Sequence, residues 1–134
     1  MLEGHCFCGF VRYAVDGTPC NETNCHCSIC RRISGAAFVT WFTVPLAAFK
    51  IVSGEPASIR SSAHATRSFC PKCGTPLSFK SDRYPDEIDV TTCSLQEPSL
   101  LPPKDHTYVR SRLEWVRLCD ELPKFSEQRL APEA

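Results

Sequence analysis

The 134-residue chain lacks a net charge, because 15 lysines and arginines are balanced by 15 aspartates and glutamates. Neither half of the chain carries a basic arm or an acidic tail. Proteins that grip a nucleic-acid backbone or an anionic lipid surface depend on an excess of basic residues. The composition therefore argues against nucleic-acid and membrane partners.

The chain also lacks an apolar run close to the ~20 residues that cross a bilayer. Its first residues, MLEGHCFCGF, have neither the basic region nor the apolar stretch of a secretory signal. We therefore expect a cytoplasmic protein whose thiols stay reduced. Internal repeats and linkers are absent as well, and the length suits one domain. We predict a single domain over residues 4–125, followed by a polar tail over residues 126–134.

Cysteine, in contrast, is abundant: the chain has 10. Seven of them fall into three tight groups, which are C-x-C at 6–8, C-x-C-x-x-C at 25–30 and C-x-x-C at 70–73. Neighbouring ligands on one turn converge easily on a metal ion, whereas a disulfide across one or two residues is strained. The spacing therefore favours metal sites over disulfides.

Cys70 and Cys73 form a knuckle, and Gly74 behind them allows the chain to turn sharply. A closed structural zinc needs four ligands, and Cys6 with Cys8 is the natural second pair. The alternative is a redox-active C-x-x-C, but no thioredoxin-like βαβ pattern surrounds it. We predict a structural zinc at these four cysteines.

Cys25, Cys27 and Cys30 make a set of three ligands, which leaves a fourth metal position open. Three thiolates and Zn²⁺ carry a charge of −1, so the metal is better suited to hold a further thiol than to polarise a carbonyl. The pattern predicts a second, labile zinc that faces a thiol substrate. Alternatively, Cys20, His26 or another residue closes the site and makes it structural.

The rest of the pattern is mainly β, with a few short helices. Strands are predicted at Phe10–Val15, 37–44, 50–52, 59–62, Ala65–Phe69, 77–80 and 87–94. Residues 46–49 are predicted as one helical turn, 28–33 as a short helix after the second cysteine group, and 113–122 as the clearest helix. Cys93 and Cys119 are interpreted as inert core thiols.

Several motifs together resemble the glutathione-dependent formaldehyde-activating enzyme family, which shares its domain with centromere protein V. They are GHCFCG at 4–9, CHCSICRR at 25–32, SGAAF at 34–38, FCPKCGTPL at 69–77, HTYVRSRLEWV at 106–116 and DELPKF at 120–125. The resemblance implies an antiparallel, zinc-stapled β-tent of the Mss-like type. It also implies two zinc ions per chain: a structural one on Cys6, Cys8, Cys70 and Cys73, and a second on Cys25, Cys27 and Cys30, where glutathione binds.

The function expected from this resemblance and from the open site is that of a carbon–sulfur lyase. Glutathione or a similar thiol would combine with formaldehyde or another small aldehyde into an S-hydroxymethyl adduct. Arg31 and Arg32, next to the second site, are candidates to bind carboxylates of the thiol. The alternative is a non-catalytic zinc-binding interaction module, or a carrier of zinc or thiol. His26, His64 and His106 are candidate proton donors, although each is more often a structural residue. The sequence carries no indication of the oligomeric state.

Overall fold

The computed structural model describes residues 1–129, and within them the chain forms ten strands and one α-helix. The strands are β1 (Leu2–His5), β2 (Arg12–Val15), β3 (Cys20–Cys25), β4 (Val39–Pro45), β5 (Phe49–Ser53), β6 (Ala57–Ser62), β7 (Ala65–Phe69), β8 (Pro76–Ser81), β9 (Glu87–Thr91) and β10 (Asp105–Thr107). The helix α1 spans Ser28–Ser34. Short 3₁₀ turns lie at Leu46–Ala48, Thr92–Ser94, Pro98–Leu100 and Val109–Ser111.

The strands form two sheets. The smaller has the order β1-β2-β5 and the larger the order β10-β3-β4-β9-β8-β7-β6. All neighbours are antiparallel except β10, which pairs in parallel with β3. The predicted mainly β fold with few short helices is therefore confirmed.

Strand β4 divides the interior, because its alternate side chains face two different apolar clusters. Phe42 and Val44 belong to the main core, together with buried residues of β2, β8 and β9. Trp41 belongs to a smaller cluster with Cys25 and Cys30. This alternation follows from the two-residue period of a strand, and it brings β4 into contact with the second cysteine group.

Several predicted elements are confirmed, some with shifted ends. The hairpin β6–β7 and the helix α1 lie where the pattern placed them, and residues 46–48 form the predicted single turn. The strand predicted over 87–94 ends at Thr91, because residues 92–94 fold into a 3₁₀ turn. There Ser94 Oγ bonds to the carbonyl of Thr91 and to the hydroxyl of Tyr13.

The helix predicted over residues 113–122 is wrong, since the segment has no regular secondary structure. Its side chains alternate between half-buried and exposed around Leu113, and Trp115 remains 71% exposed. No apolar stripe of helical period exists to hold a helix against the core. Instead, the segment carries Asp120 to the buried His106, whose Nε2 lies 2.8 Å from Asp120 Oδ2.

The chain after Leu122 adds to the edge of β10. His106 N donates to Pro123 O and Phe125 N donates to His106 O, both at 2.8 Å. Tyr108 N donates to Glu127 O, and the Arg129 side chain bonds to Asp105 and Asn21. The boundary proposed at residue 125 stays a prediction, and residues 130–134 of the proposed tail lie outside the described part. No helix within residues 1–129 is both long and apolar enough to cross a membrane.

Candidate metal centres

The first cysteine cluster joins two turns that are far apart in sequence. The Sγ atoms of Cys6, Cys8, Cys70 and Cys73 all lie within 4.8 Å of one another. Cys6 Sγ is 3.6 Å from Cys8 Sγ, and Cys8 Sγ is 3.8 Å from Cys70 Sγ. Cys6 and Cys70 are completely buried in the main core.

This arrangement fits a tetrahedral zinc ion. Four zinc–thiolate bonds of about 2.3 Å place neighbouring sulfurs about 3.8 Å apart, which agrees with the separations of 3.6 and 3.8 Å seen here. Backbone N–H groups also point at the sulfurs: Val11 N donates to Cys6 Sγ, and Lys72 N and Cys73 N donate to Cys70 Sγ. The set of donors and its surroundings suit thiolates bound to a metal.

A glycine closes each of the two turns in the left-handed conformation. Gly9 has φ +79° and its N–H bonds to Cys6 O, while Gly74 has φ +82° and bonds to Cys70 O. A residue with a Cβ is strained at such angles. Thr75 links the turns, since its hydroxyl accepts from Phe7 N at 3.0 Å and lies 3.2 Å from Cys73 Sγ. The Thr75 hydroxyl lowers the pKa of Cys73 to about 5.

The second cluster is built from one short segment. Cys25 ends β3, Cys27 caps the N-terminus of α1 with its sulfur 3.3 Å from Cys30 N, and Cys30 lies in the first turn of the helix. The three sulfurs lie within 4.8 Å of one another, and Cys25 Sγ is 3.6 Å from Cys30 Sγ. These separations fit three corners of a zinc tetrahedron. Within residues 1–129, no fourth His, Cys, Asp or Glu joins this group.

Ionisation within the second cluster is strongly coupled. The thiols of Cys25 and Cys30 donate towards Cys27 and lower its pKa, because they stabilise its thiolate. The Cys27 thiolate and burial in turn raise the pKa of Cys25. One negative charge is thus easily held among the three sulfurs, whereas further charges require a cation. A divalent metal would provide that cation.

Aromatic side chains surround this second cluster. Trp41, Phe79 and Tyr108 pack against its cysteines. Burial raises the pKa of the Tyr108 hydroxyl, and the nearby sulfurs of Cys25 and Cys27 raise it further. Trp41 is buried and also lines a cavity. The neighbouring Phe42 is buried in the main core.

Sequence reasoning missed one functional candidate, Arg67 on β7. Its side chain is buried, its Nη1 donates to Cys30 Sγ at 3.6 Å, and its guanidinium lies over the rings of Trp41 and Phe79. Arg67 also lines a cavity of about 240 Å³ together with Trp41. No motif in the chain marks this residue, because 37 positions separate it from Cys30.

Arg31 and Arg32, the predicted carboxylate-binding residues, lie on α1 and line a second cavity of about 280 Å³. Leu113 and Trp115 form part of the same lining. Arg31 is half-buried, and its Nη1 donates to the carbonyls of His26 and Ser111. Arg32 is exposed. Their role in binding a substrate stays a prediction.

Two of the three candidate proton donors form a buried chain. His26 Nε2 lies 3.0 Å from His106 Nδ1, and His106 Nε2 lies 2.8 Å from Asp120 Oδ2. Burial lowers the pKa of His26 to about 4, so its ring stays neutral near pH 7. The His26 ring faces His106 and Phe38, which supports its interpretation as a structural residue rather than a metal ligand. His64 is exposed in the β6–β7 turn.

The three remaining cysteines join neither cluster. Cys20 is exposed at the far end of β3 and is not among the residues whose ligand atoms converge on the second cluster, so it does not close that site. Cys93 and Cys119 are exposed, and their interpretation as core thiols is therefore wrong. Cys93 lies in a 3₁₀ turn and Cys119 in the irregular segment, where neither points inward.

Comparison with known proteins agrees with the sequence motifs. A family model described as glutathione-dependent formaldehyde-activating enzyme matches residues 1–111. A protein of Halomonas elongata, named as a candidate glutathione-dependent formaldehyde-activating enzyme, is 28% identical over 127 residues. That alignment covers 88% of this chain and 81% of the Halomonas protein.

The fold also has a counterpart among solved structures. A crystal structure of a Rhodobacter sphaeroides protein superposes with a TM-score of 0.61 at 24% sequence identity. The match covers 91% of this chain and 98% of the other. At this identity the likeness concerns the fold alone.

Proposed function

Because the chain belongs to the glutathione-dependent formaldehyde-activating enzyme family, we propose that it combines glutathione, or a similar thiol, with formaldehyde or another small aldehyde. The observation that carries this proposal is the three-cysteine cluster. Its sulfurs converge on one point, and residues 1–129 supply no fourth ligand to them. A closed structural site would need that fourth ligand.

Each cluster is assigned a zinc ion. Cys6, Cys8, Cys70 and Cys73 would hold the structural ion, and Cys25, Cys27 and Cys30 the second, more labile one. When bound at the second cluster, zinc supplies a position at which a substrate thiol is held as its thiolate. Both assignments require reduced cysteines, which accords with the free thiols of all ten and with the proposed cytoplasmic location.

The reaction forms one bond and moves one proton. The thiolate sulfur attacks the aldehyde carbon, the C–S bond forms, and the electron pair of the C=O double bond moves to oxygen. The proton that the thiol gave up is returned to this oxygen, so the product is the S-hydroxymethyl thiol. The reverse direction breaks the C–S bond, which places the activity among carbon–sulfur lyases.

The chain would contribute binding and exclusion of water. Trp41, Phe79 and Tyr108 pack around the sulfurs and shield that side of the cluster. Arg31 and Arg32 are the proposed partners of the thiol's carboxylates, since both line the cavity beside α1. Holding thiol and aldehyde together lowers the entropic part of the barrier.

Cobalt substitution tests this function. Glutathione added to the cobalt-loaded protein should shift the thiolate-to-cobalt charge-transfer bands of one of two metals. With ¹³C-formaldehyde, NMR should show faster formation of the S-hydroxymethyl adduct than in buffer. Cys27→Ser should abolish both effects, whereas Cys20→Ser, at an exposed cysteine outside the clusters, should change neither. Two metals that ignore glutathione would refute the enzyme and favour a zinc-binding interaction module.

A further inference from the structure

Arg67 is a buried cation that has no carboxylate partner within residues 1–129. Only 6% of its surface is exposed, and none of the ion pairs between described side chains includes it. A charge taken out of water without an opposite charge nearby is strongly unfavourable. The buried guanidinium therefore needs a counter-charge from some other group.

The group that Arg67 contacts is the second cysteine cluster. Its Nη1 donates to Cys30 Sγ at 3.6 Å, while its Nε donates to Ser61 Oγ at 3.2 Å. Asp89 is the buried carboxyl nearby, but it accepts from the Thr43 hydroxyl instead, and burial raises its pKa to about 6. This carboxylate is largely ionised at pH 7, but it forms neither a hydrogen bond nor an ion pair with Arg67, so the counter-charge in direct contact with the guanidinium is the sulfur of Cys30.

Two aromatic rings fix the plane of the guanidinium. The Cζ atom of Arg67 lies 4.9 Å from the ring centre of Phe79 and 5.7 Å from that of Trp41. Both rings pack against the cluster as well. This stacking holds the cation against Cys30 and orders the long side chain, which suits a permanent electrostatic role.

The net charge of the metal-loaded site follows from the charges of its members. Three thiolates and a divalent cation leave one negative charge, and Arg67 cancels it. A fourth, anionic ligand brings the site to −1 rather than −2, which makes its entry much more favourable in a buried environment. Arg67 also lines a cavity of about 240 Å³ together with Trp41, which packs against the cluster, so a ligand in that cavity meets the cation.

We propose that Arg67 is a positioning residue of the second cluster, whose fixed charge balances the cysteine thiolates and makes the open ligand position selective for an anionic thiolate. This inference rests on the proposed zinc site at Cys25, Cys27 and Cys30. It extends that function, because it names the residue that sets which class of ligand the site accepts.

The experiment compares an anionic with a neutral ligand in the cobalt-loaded full chain. Mercaptoethanol, bound as a thiolate, and imidazole, bound without charge, are titrated into wild type, Arg67→Met and Arg67→Lys. We expect Arg67→Met to weaken thiolate binding at least tenfold and imidazole binding less than twofold. Arg67→Lys should restore most of the thiolate affinity, because it restores the charge.

Arg60→Met is the matched control. Arg60 lies on the adjacent strand β6, is exposed, and pairs with Asp82. Its substitution removes the same charge from the same sheet and should leave both affinities unchanged. An equal loss for both ligands in Arg67→Met, or no loss for either, would overturn the proposal and reduce Arg67 to a packing residue.

A second readout needs no added ligand and separates this inference from the proposed function. Without the nearby cation, the Cys30 thiolate becomes a better electron donor, so the charge-transfer band of Arg67→Met should move to longer wavelength and that of Arg67→Lys should not. If wild type binds no thiol, the proposed function fails while this band still tests Arg67. An unshifted band in Arg67→Met contradicts the charge role even when wild type binds thiols normally.

Discussion

The two cysteine clusters offer the same type of side chain but differ in how far apart their cysteines lie in the sequence. The first joins Cys8 to Cys70 across 62 residues and is embedded in the main core. The second brings together three cysteines from positions 25–30 of one short segment. A site that connects distant segments stabilises the fold, whereas a site made from one turn adds little stability and is free to exchange its ligands.

The largest effect should come from breaking the first cluster. Cys70→Ser removes a buried thiolate from a site that contributes of order 10 kcal/mol, which is comparable to the whole stability of a domain. We expect no cooperative unfolding transition by circular dichroism and less than one zinc ion per chain.

Cys27→Ser is the informative counterpart. It should lose one zinc ion yet unfold cooperatively, because the first cluster is intact. Cys93→Ser, at an exposed cysteine, should behave as wild type. If Cys70→Ser folds within about 2 kcal/mol of wild type, then the first cluster is not what holds the fold together.

A smaller loss in the free energy of unfolding is expected when a hydrogen-bonded contact between distant segments is removed. Beside the second cluster, the buried His26 and His106 and the half-exposed Asp120 form a hydrogen-bonded chain that ties the residue after β3 to the irregular C-terminal segment. His106→Ala leaves His26 Nε2 unpaired and opens a cavity, so we expect a loss of about 2–4 kcal/mol in the free energy of unfolding. Urea denaturation of the zinc-loaded protein measures it.

Asp120→Asn sharpens this measurement. The amide still reaches His106 but removes the charge at a half-exposed position, where water screens it, so a smaller loss than that of His106→Ala is expected. Equal losses for both variants would place the stabilisation in the charge rather than in the buried ring.

The smallest effect concerns the pH dependence of stability and comes from Asp89 on β9. Burial raises the pKa of Asp89 to about 6 in the folded chain, against about 3.9 when unfolded. Between these values the folded state binds more protons, so this carboxyl makes stability fall as pH rises. We expect Asp89→Asn to match wild type near pH 4 and to exceed it by about 1–2 kcal/mol at pH 7.

Urea midpoints across this range test the sign, and comparison of the two proteins cancels the common effect of metal release at low pH. A variant that is less stable than wild type at pH 7 would contradict the shift. His26 acts in the opposite direction, since its lowered pKa removes stability as pH falls from about 6.5 to about 4.

The cysteine groups could be predicted from the sequence, because the cysteines within each group are closely spaced. C-x-x-C followed by glycine at 70–74 carries both the ligands and the left-handed turn that aims them. The helix α1 was predictable for the same reason, as it follows directly from the turn at Cys27.

Features that depend on contacts between residues far apart in the sequence could not be predicted in this way. Strand β3 reads CNETNC, which carries no β pattern, yet β4 and β10 hold it on both sides. Arg67 and the His26–His106 pair depend on contacts across 37 and 80 residues, respectively. A helix was predicted for residues 113–122, but the segment instead follows an irregular path that brings Asp120 into contact with His106.

The sequence separation within the first cluster has a consequence for how the protein is made. A ribosome adds about 5–20 residues per second, so Cys6 and Cys8 wait roughly 3–12 s for the partners 62 residues downstream. The three cysteines of the second cluster are complete within about a second of one another. Translation therefore completes the proposed exchangeable site first, and the nascent chain presents this full set of thiols before the proposed structural site exists.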